Sequence, residues 1–175
     1  MLTNAYNYID GLDGLFQLDG GDGVIGSEQK AYNLFEINSE KILDNRGYFL
    51  NIFRQEENTF KQFWGKRNIK QINLTETLKK GTIRGLHFQK EPYCDAKIIR
   101  CLEGKVWDVA VDLRKESPNY KKWQAIELDS NKSNAIFIPE GFAHGFQVLA
   151  PRSKLLYIHS SPWIKSHDCG IRWDD

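Results

Sequence analysis

Cysteine is scarce and shows no pairing pattern: Cys94, Cys101 and Cys169 are three in number, and no two stand in C-x-x-C spacing. So scattered and odd a set excludes a disulfide framework or a cysteine zinc site as the organising element, and points to a reducing compartment. Long apolar runs are missing too. No stretch approaches the roughly 18 apolar residues of a membrane span, and the opening MLTNAYNYIDGLDG has no basic region followed by an apolar one. The expected location is the cytoplasm. An excess of either charge is also absent, with 24 Lys+Arg against 23 Asp+Glu and a formal net charge of +1. That balance gives no general pull toward nucleic acid or anionic lipid, so neither nucleic acid nor a membrane is an expected partner. A phosphate-bearing small ligand remains compatible, because a few local arginines suffice to hold one.

What the chain does carry is aromatic and β-forming residues. Five Trp, seven Tyr and ten Phe make 13% of 175 residues, a composition suited to half-buried strands and to a pocket lined by rings. The length fits one domain with a substantial core. Residues 1–36 read as a divergent Gly/Asp-rich arm or hairpin, with Asp-Gly pairs at 10–11, 13–14, 19–20 and 22–23 that signal tight turns. Asp19, Asp22 and Glu28 miss the spacing of a calcium loop. From 37 to 175 there is no repeat, linker or low-complexity tract. Instead short β-branched or aromatic runs recur: YFLNIF (48–53), KIIRCL (97–102), VWDVAVDL (106–113), QAIELD (124–129), NAIFIP (134–139) and SKLLYIH (153–159). Turn signals such as Glu103-Gly104-Lys105, Ser117-Pro118-Asn119, Ser130-Asn131-Lys132 and Ala150-Pro151-Arg152 separate them. Such spacing predicts an all-β antiparallel sandwich or barrel rather than βαβ units. One helix is expected over 54–64, where Phe60, Phe63 and Trp64 share an apolar face.

Two segments carry the chemistry. GTIRGLHFQ (81–89) and IPEGFAHGFQVL (138–149) each set a histidine in an apolar, glycine-bracketed strand. Taken singly, a strand histidine is more often a surface or satisfied core residue, Arg84 and Lys97 a solvated strand face, and Tyr157 an ordinary core ring. Together, with Arg84, Lys97 and Asp108 close in sequence, they suggest a site, because charges planted in apolar strands must be paired, exposed or functional. The pattern resembles the two cupin motifs. Pro139, Gly141 and His144 complete the second; Gly81 and His87 begin the first, but its next histidine is replaced by Gln89. With two imidazoles at most, and Glu91 only a weak further candidate, the favoured expectation is a barrel with no metal and no cofactor. The chemistry then falls to protein acids and bases. A histidine base, a tyrosine acid on the opposite face and a lysine steadying the enolate fit proton abstraction beside a carbonyl.

At these residues the sequence strongly resembles the dTDP-4-dehydrorhamnose 3,5-epimerase family. The resemblance runs over about 44–175 through DNRGYF (44–49), GTIRGLHFQ (81–89), KIIRCLEGKVWDVAVDLRKESPNYKKW (97–123), IPEGFAHGFQVL (138–149), LLY (155–157) and GIRWDD (170–175). It implies a cupin-type jelly-roll barrel over 37–175, with a few short helices, in a homodimer whose N-terminal strands are exchanged. It also implies epimerisation at C3, C5 or both of a nucleotide-linked 4-keto-6-deoxy sugar, a step of deoxysugar biosynthesis for cell-surface polysaccharide such as lipopolysaccharide. By the resemblance His87 is the base, Tyr157 the acid, and Lys97 the enolate-stabilising cation, helped by Arg84. Asp108 and His144 shape the sugar pocket, and Arg46 grips the nucleotide diphosphate, reaching into the partner's site. Gln89, Asn51 and Trp163 complete the implied substrate-binding set; Asn51 replaces the family's usual glutamate and Trp163 its usual tyrosine. The family continues into an L-S-x-K-D segment whose aspartate pairs with the catalytic histidine, whereas this sequence ends at Asp175. Unless another carboxylate substitutes, that partner is missing, and the imidazole is then expected to be less well oriented and a weaker base. Three other readings stay open: a nucleotide-sugar-binding cupin with little or no turnover, an enzyme that migrates the keto group, and a metal-dependent cupin oxygenase.

Overall fold

Period-2 burial organises the chain. In β8 (Lys105–Asp112) the side chains of Val106, Asp108, Ala110 and Asp112 are buried, while Lys105, Trp107, Val109 and Val111 lie on the other face. The computed structural model describes residues 24–29, 33–56 and 58–175, with the backbone alone for 24–29 and Thr59. The Asp-Gly pairs of the N-terminal arm lie outside the described residues. Before β8 come β1 (Val24–Gln29), β2 (Phe35–Ser39), β3 (Lys41–Asp44), β4 (Gly47–Leu50), helix α1 (Asn58–Trp64), β5 (Gln71–Thr77), β6 (Ile83–Gln89) and β7 (Lys97–Glu103). After it follow β9 (Trp123–Asp129), β10 (Asn134–Ile138), β11 (Phe142–Val148), β12 (Ser153–His159) and β13 (Asp168–Gly170).

Two antiparallel sheets result, with strand orders β1-β2-β10-β7-β12-β5 and β13-β6-β11-β8-β9, plus the separate hairpin β3-β4. Together they form the jelly roll. Its inner core draws Ile99, Ile136, Ile138 and Leu155 from the first sheet and Val106, Leu128, Phe142 and Val148 from the second. A second core lies on the outer side of the six-stranded sheet, where Phe60, Phe63 and Trp64 of α1 cover Ile37, Ile98, Ala135, Phe137 and Ile158. Strand β10 is sandwiched between the two cores, and all five of its residues are buried. That explains its unbroken apolar run, since a strand covered on both faces has no polar side to alternate with.

Some boundaries differ from the sequence expectation. Helix α1 begins at Asn58 rather than 54, and the polar Gln55-Glu56 pair forms a turn instead. Strand β4 stops at Leu50, because Ile52 and Phe53 turn inward to pack on the α1 cluster. Strand β2 straddles residue 36, with Leu34 and Ile37 fully buried, so the six-stranded sheet takes in residues on both sides of the division drawn from the Asp-Gly pattern. Strand β5 had no counterpart among the expected runs.

The second sheet depends on a close approach between β6 and β11. A Cβ on Gly145 would stand 2.7 Å from the Arg84 carbonyl oxygen, and one on Gly85 would stand 2.6 Å from the Gly145 Cα. Backbone meets backbone here, so no side chain can give way. Gly145→Ala should therefore destabilise the fold by about 1–3 kcal/mol, the range for overpacking a tight interior, read as a lower urea midpoint at unchanged m-value. An unaltered midpoint would show that the two strands separate freely.

Candidate active site

Between the sheets lies a cavity of about 660 Å³, open at one end of the barrel, a size that suits a small ligand with a sugar ring. One wall comes from the six-stranded sheet, where β5 presents Gln71, Asn73 and Thr75, β7 presents Lys97, and β12 presents Tyr157 and His159. The facing wall comes from β6 with Arg84, His87 and Gln89, from β11 with His144 and Phe146, and from β13 with Asp168. Period 2 accounts for the sets on β5, β11 and β12, since residues two apart on a strand share a face. On β6 a register shift opposite His144–Phe146 brings Arg84, three residues before His87, to the same wall.

Pairing brings the residues into register. His87 and His144 are direct cross-strand partners of β6 and β11. Tyr157 partners Asn73 on one side and Ile99 on the other, while His159 partners Gln71 and Lys97. The Tyr157 ring is 6.3 Å from that of His144, edge to face, and 5.8 Å from that of His159, nearly parallel at 10°. His87 is exposed at the open mouth, whereas Tyr157 is buried at the junction of cavity and core.

Most polar groups at the cavity have a specific partner, while Thr75 Oγ1 and Asp108 Oδ1 are buried without one. Asp108, fully buried, lies behind the cavity wall and accepts a hydrogen bond from His144 Nε2 at 2.8 Å. That bond places the imidazole proton on Nε2 and fixes the ring. Arg84 is tied to β5, its Nε donating to Thr77 Oγ1 at 2.8 Å. Lys97 Nζ lies 3.4 Å from Asp95 Oδ2, and the same oxygen accepts from His159 Nδ1 at 2.7 Å. Gln89 lines the cavity but uses its amide as a clamp. Its Nε2 donates to the carbonyls of Tyr93 and Pro162, both at 3.0 Å, and its Oε1 accepts from the Ile164 N–H at 2.6 Å. Trp163 stands exposed on the rim, with its backbone N–H held by Gln71 Oε1 at 3.0 Å.

Burial, the largest influence on the Tyr157 phenol, holds its pKa well above the ordinary tyrosine range. The nearby Thr75 hydroxyl and Arg84 charge pull the other way without overcoming it, and the Asp108 charge adds to the rise. The group therefore remains a proton donor at neutral pH. At Asp95 burial also pushes upward, but the His159 hydrogen bond, the Lys97 charge and the Ser161 N–H outweigh it, so the carboxyl lies below its usual value of 3.8.

Seven of the ten expected site residues thus line one cavity: His87, Tyr157, Lys97, Arg84, Gln89, His144 and Trp163. Asp108 backs the cavity through His144. Arg46 and Asn51 are not among its lining residues. Arg46 sits in the β3–β4 turn, bound to Asp44 Oδ2 through Nε and Nη2 at 3.1 and 2.6 Å, and Asn51 is buried just after β4. Sequence reasoning passed over Asp95, His159, Asn73, Gln71 and Asp168. The signal for two of them was available, because His159 lies two residues beyond Tyr157 and Asp95 two before Lys97. Among the described residues, no three His, Cys, Asp or Glu side chains converge in a metal-binding arrangement, and no helix is long and apolar enough to cross a membrane.

Fold and site together define a cupin-type jelly roll that gathers imidazole, phenol and ammonium groups at the open end of the barrel. The sequence profile of the dTDP-4-dehydrorhamnose 3,5-epimerase family matches residues 28–175. A dTDP-4-dehydrorhamnose 3,5-epimerase of Shigella flexneri is 41% identical over 133 residues, covering 75% of this chain and 72% of that protein. The Sinorhizobium fredii enzyme of the same name is 38% identical over 144 residues, 79% of this chain and 70% of that one. Among solved structures, the Bacillus anthracis enzyme, with TDP and PPi bound, superposes with a TM-score of 0.80 at 33% identity, covering 87% of this chain and 85% of that one. The Legionella pneumophila enzyme, in complex with dTDP-4-keto-L-rhamnose, has a TM-score of 0.79 at 29% identity, covering 85% and 78%. The chain belongs to the dTDP-4-dehydrorhamnose 3,5-epimerase family.

The Asp95 cluster makes a pH prediction. A carboxyl whose folded pKa is depressed contributes stability that is complete above its unfolded pKa, near 3.8, and is lost as pH falls through the lower folded value. Asp95→Asn should lower stability at pH 7 and flatten the dependence of the urea midpoint on pH below about pH 4. An acid arm as steep as that of the wild type would show that Asp95 is not linked to folding.

Proposed function

We propose that this protein epimerises a nucleotide-linked 4-keto-6-deoxy sugar at C3, C5 or both, with His87 as base and Tyr157 as acid. The observation that carries this reading is the origin of the two groups: they enter one cavity from facing sheets, so a sugar ring between them would meet a base on one face and an acid on the other. His87 removes the proton from the carbon beside the keto group, and the electron pair moves onto the keto oxygen as an enolate. The Lys97 ammonium and the Arg84 guanidinium steady that charge. The enolate then takes the Tyr157 hydroxyl proton on its opposite face, which inverts the carbon. Proton exchange with solvent restores His87 and Tyr157. His144, oriented by Asp108, shapes the wall between them, with Gln89 and Trp163 at the rim.

The bound nucleotides of the relatives favour a nucleoside diphosphate as the handle of the substrate. We assign its grip to Arg46, acting from the β3–β4 turn on the cavity of a second copy of the chain, with Asn51 at the base of the same hairpin; guanidinium suits a diphosphate by geometry and charge. A homodimer is supported by exposed apolar side chains on that hairpin, Leu43, Tyr48 and Phe49, and on the edge strand β5, Ile72 and Leu74. Exposed apolar side chains gathered into a patch are uncommon on monomers, and a strand edge with no partner among the described residues invites pairing.

The test of function is label wash-in from deuterated water at C3 and C5 of dTDP-4-keto-6-deoxy-D-glucose, the epimer whose hydrogens at those carbons face the base. Wild type should incorporate deuterium, and His87→Ala should lose roughly 10²–10⁴-fold of that rate, the worth of a general base, with dTDP binding within a few-fold of normal. Tyr157→Phe should still wash label in while yielding no inverted product, because the base survives and the opposite donor is gone. Binding of dTDP by wild type without any label incorporation would instead favour the binding cupin. For assembly, sedimentation equilibrium should return twice the chain mass, and Leu74→Lys should shift it toward one; a wild-type monomer at micromolar concentration would remove the dimer.

A further inference from the structure

His159 has no part in the scheme above, yet it is the most fully connected imidazole in the cavity. Its Nδ1 is 2.7 Å from Asp95 Oδ2, the oxygen that also faces Lys97 Nζ at 3.4 Å. Asp95 Oδ1 accepts from the backbone N–H groups of Ser160 and Ser161 at 3.1 and 3.0 Å. In the other direction His159 Nε2 is 3.3 Å from Asn73 Nδ2, Asn73 Oδ1 accepts from Gln71 Nε2 at 3.0 Å, and Gln71 Oε1 accepts from the Trp163 N–H at 3.0 Å.

A backbone N–H can only donate, so Trp163 sets the direction of the whole chain. Gln71 must turn its oxygen to Trp163 and its NH₂ to Asn73. Asn73 must then turn its own NH₂ to His159. Nε2 is left to accept, and Nδ1 carries the proton that it gives to Asp95. The neutral Nδ1–H tautomer is the form that satisfies every link.

We infer that His159 is a positioning residue for the epimerisation, an inference that rests on the function proposed above. Through Asp95 it sets the place of the Lys97 ammonium. Through Asn73 and Gln71 it sets the rim at Trp163. The two ends act on different quantities. A cation that meets charge developing only in the transition state acts on kcat, whereas a wall that holds substrate and transition state alike acts on KM. His159 therefore links turnover to substrate hold, and its two nitrogens divide the work.

Two substitutions separate those nitrogens. In His159→Asn the amide nitrogen takes the place of Nδ1 and keeps the bond to Asp95, but the side chain is too short to meet Asn73. In His159→Gln the longer amide meets Asn73 and leaves Asp95 without its donor. With initial wash-in rates measured against sugar-nucleotide concentration, His159→Asn should raise KM roughly tenfold with kcat nearly kept, and His159→Gln should lower kcat roughly tenfold with KM nearly kept, the usual scale for one hydrogen bond to a charged or substrate-ordering group. Gln71→Leu, which leaves the imidazole untouched, should reproduce the His159→Asn pattern. Variants that shift kcat and KM in one proportion, or shift neither, would overturn the inference. A wild type that turns over, with variants that show no such split, would count against His159 alone; a wild type that washes in no label would count against the proposed reaction itself.

Discussion

The site depends on the contact between β6 and β11. Where Gly85 and Gly145 meet, the two backbones come closer than any side chain would permit, and His87 is set directly across from His144. That pairing in turn aligns β11 with β8, where Asp108 partners Phe146 and reaches behind the wall to His144. A wider spacing would separate the exposed imidazole at the mouth from the buried one behind it. The geometry of one sheet is thus set by the absence of two side chains.

The facing wall is held by a different force. Polar groups taken out of water destabilise a fold unless each finds a partner, and here each cavity cation is tied to a neighbour. Arg84 bonds to Thr77 across the gap between the sheets, Lys97 to Asp95, and Asp95 to His159 and two backbone amides. These bonds fix side chains that would otherwise sample many rotamers, so the charges are in place before a ligand arrives. Pre-organised charge of this kind stabilises an enolate without reorganisation during the reaction.

Much of this was legible in the chain. The apolar runs that became β7, β10 and β12 announce themselves because they bury one or both faces, and the RGLHFQ and EGFAHGF strings carry the two facing histidines. Strand β5 was not legible, for a physical reason. Its alternation is inverted: Gln71, Asn73 and Thr75 point into the cavity, while Ile72 and Leu74 point outward. A reader who expects apolar residues inside and polar ones outside takes QINLTET for a loop or an edge. The same inversion hid Asp95 and His159, whose meaning depends on a partner 64 residues away. The hairpin residues Arg46 and Asn51 stand outside the cavity of their own chain, and no local pattern says what they would meet beyond it.

Environment separates the roles of the two groups assigned to proton transfer. Tyr157 stands where the cavity floor becomes the hydrophobic core, and that burial makes its phenol reluctant to ionise. His87 stands exposed at the mouth on the other sheet, within reach of solvent. In the proposed reaction, a buried donor opposite a solvent-exposed base would place proton removal on the solvent side and proton return on the core side. A binding module would need the cavity and Arg84 but gains nothing from this difference between two walls. The asymmetry is what favours turnover over mere capture.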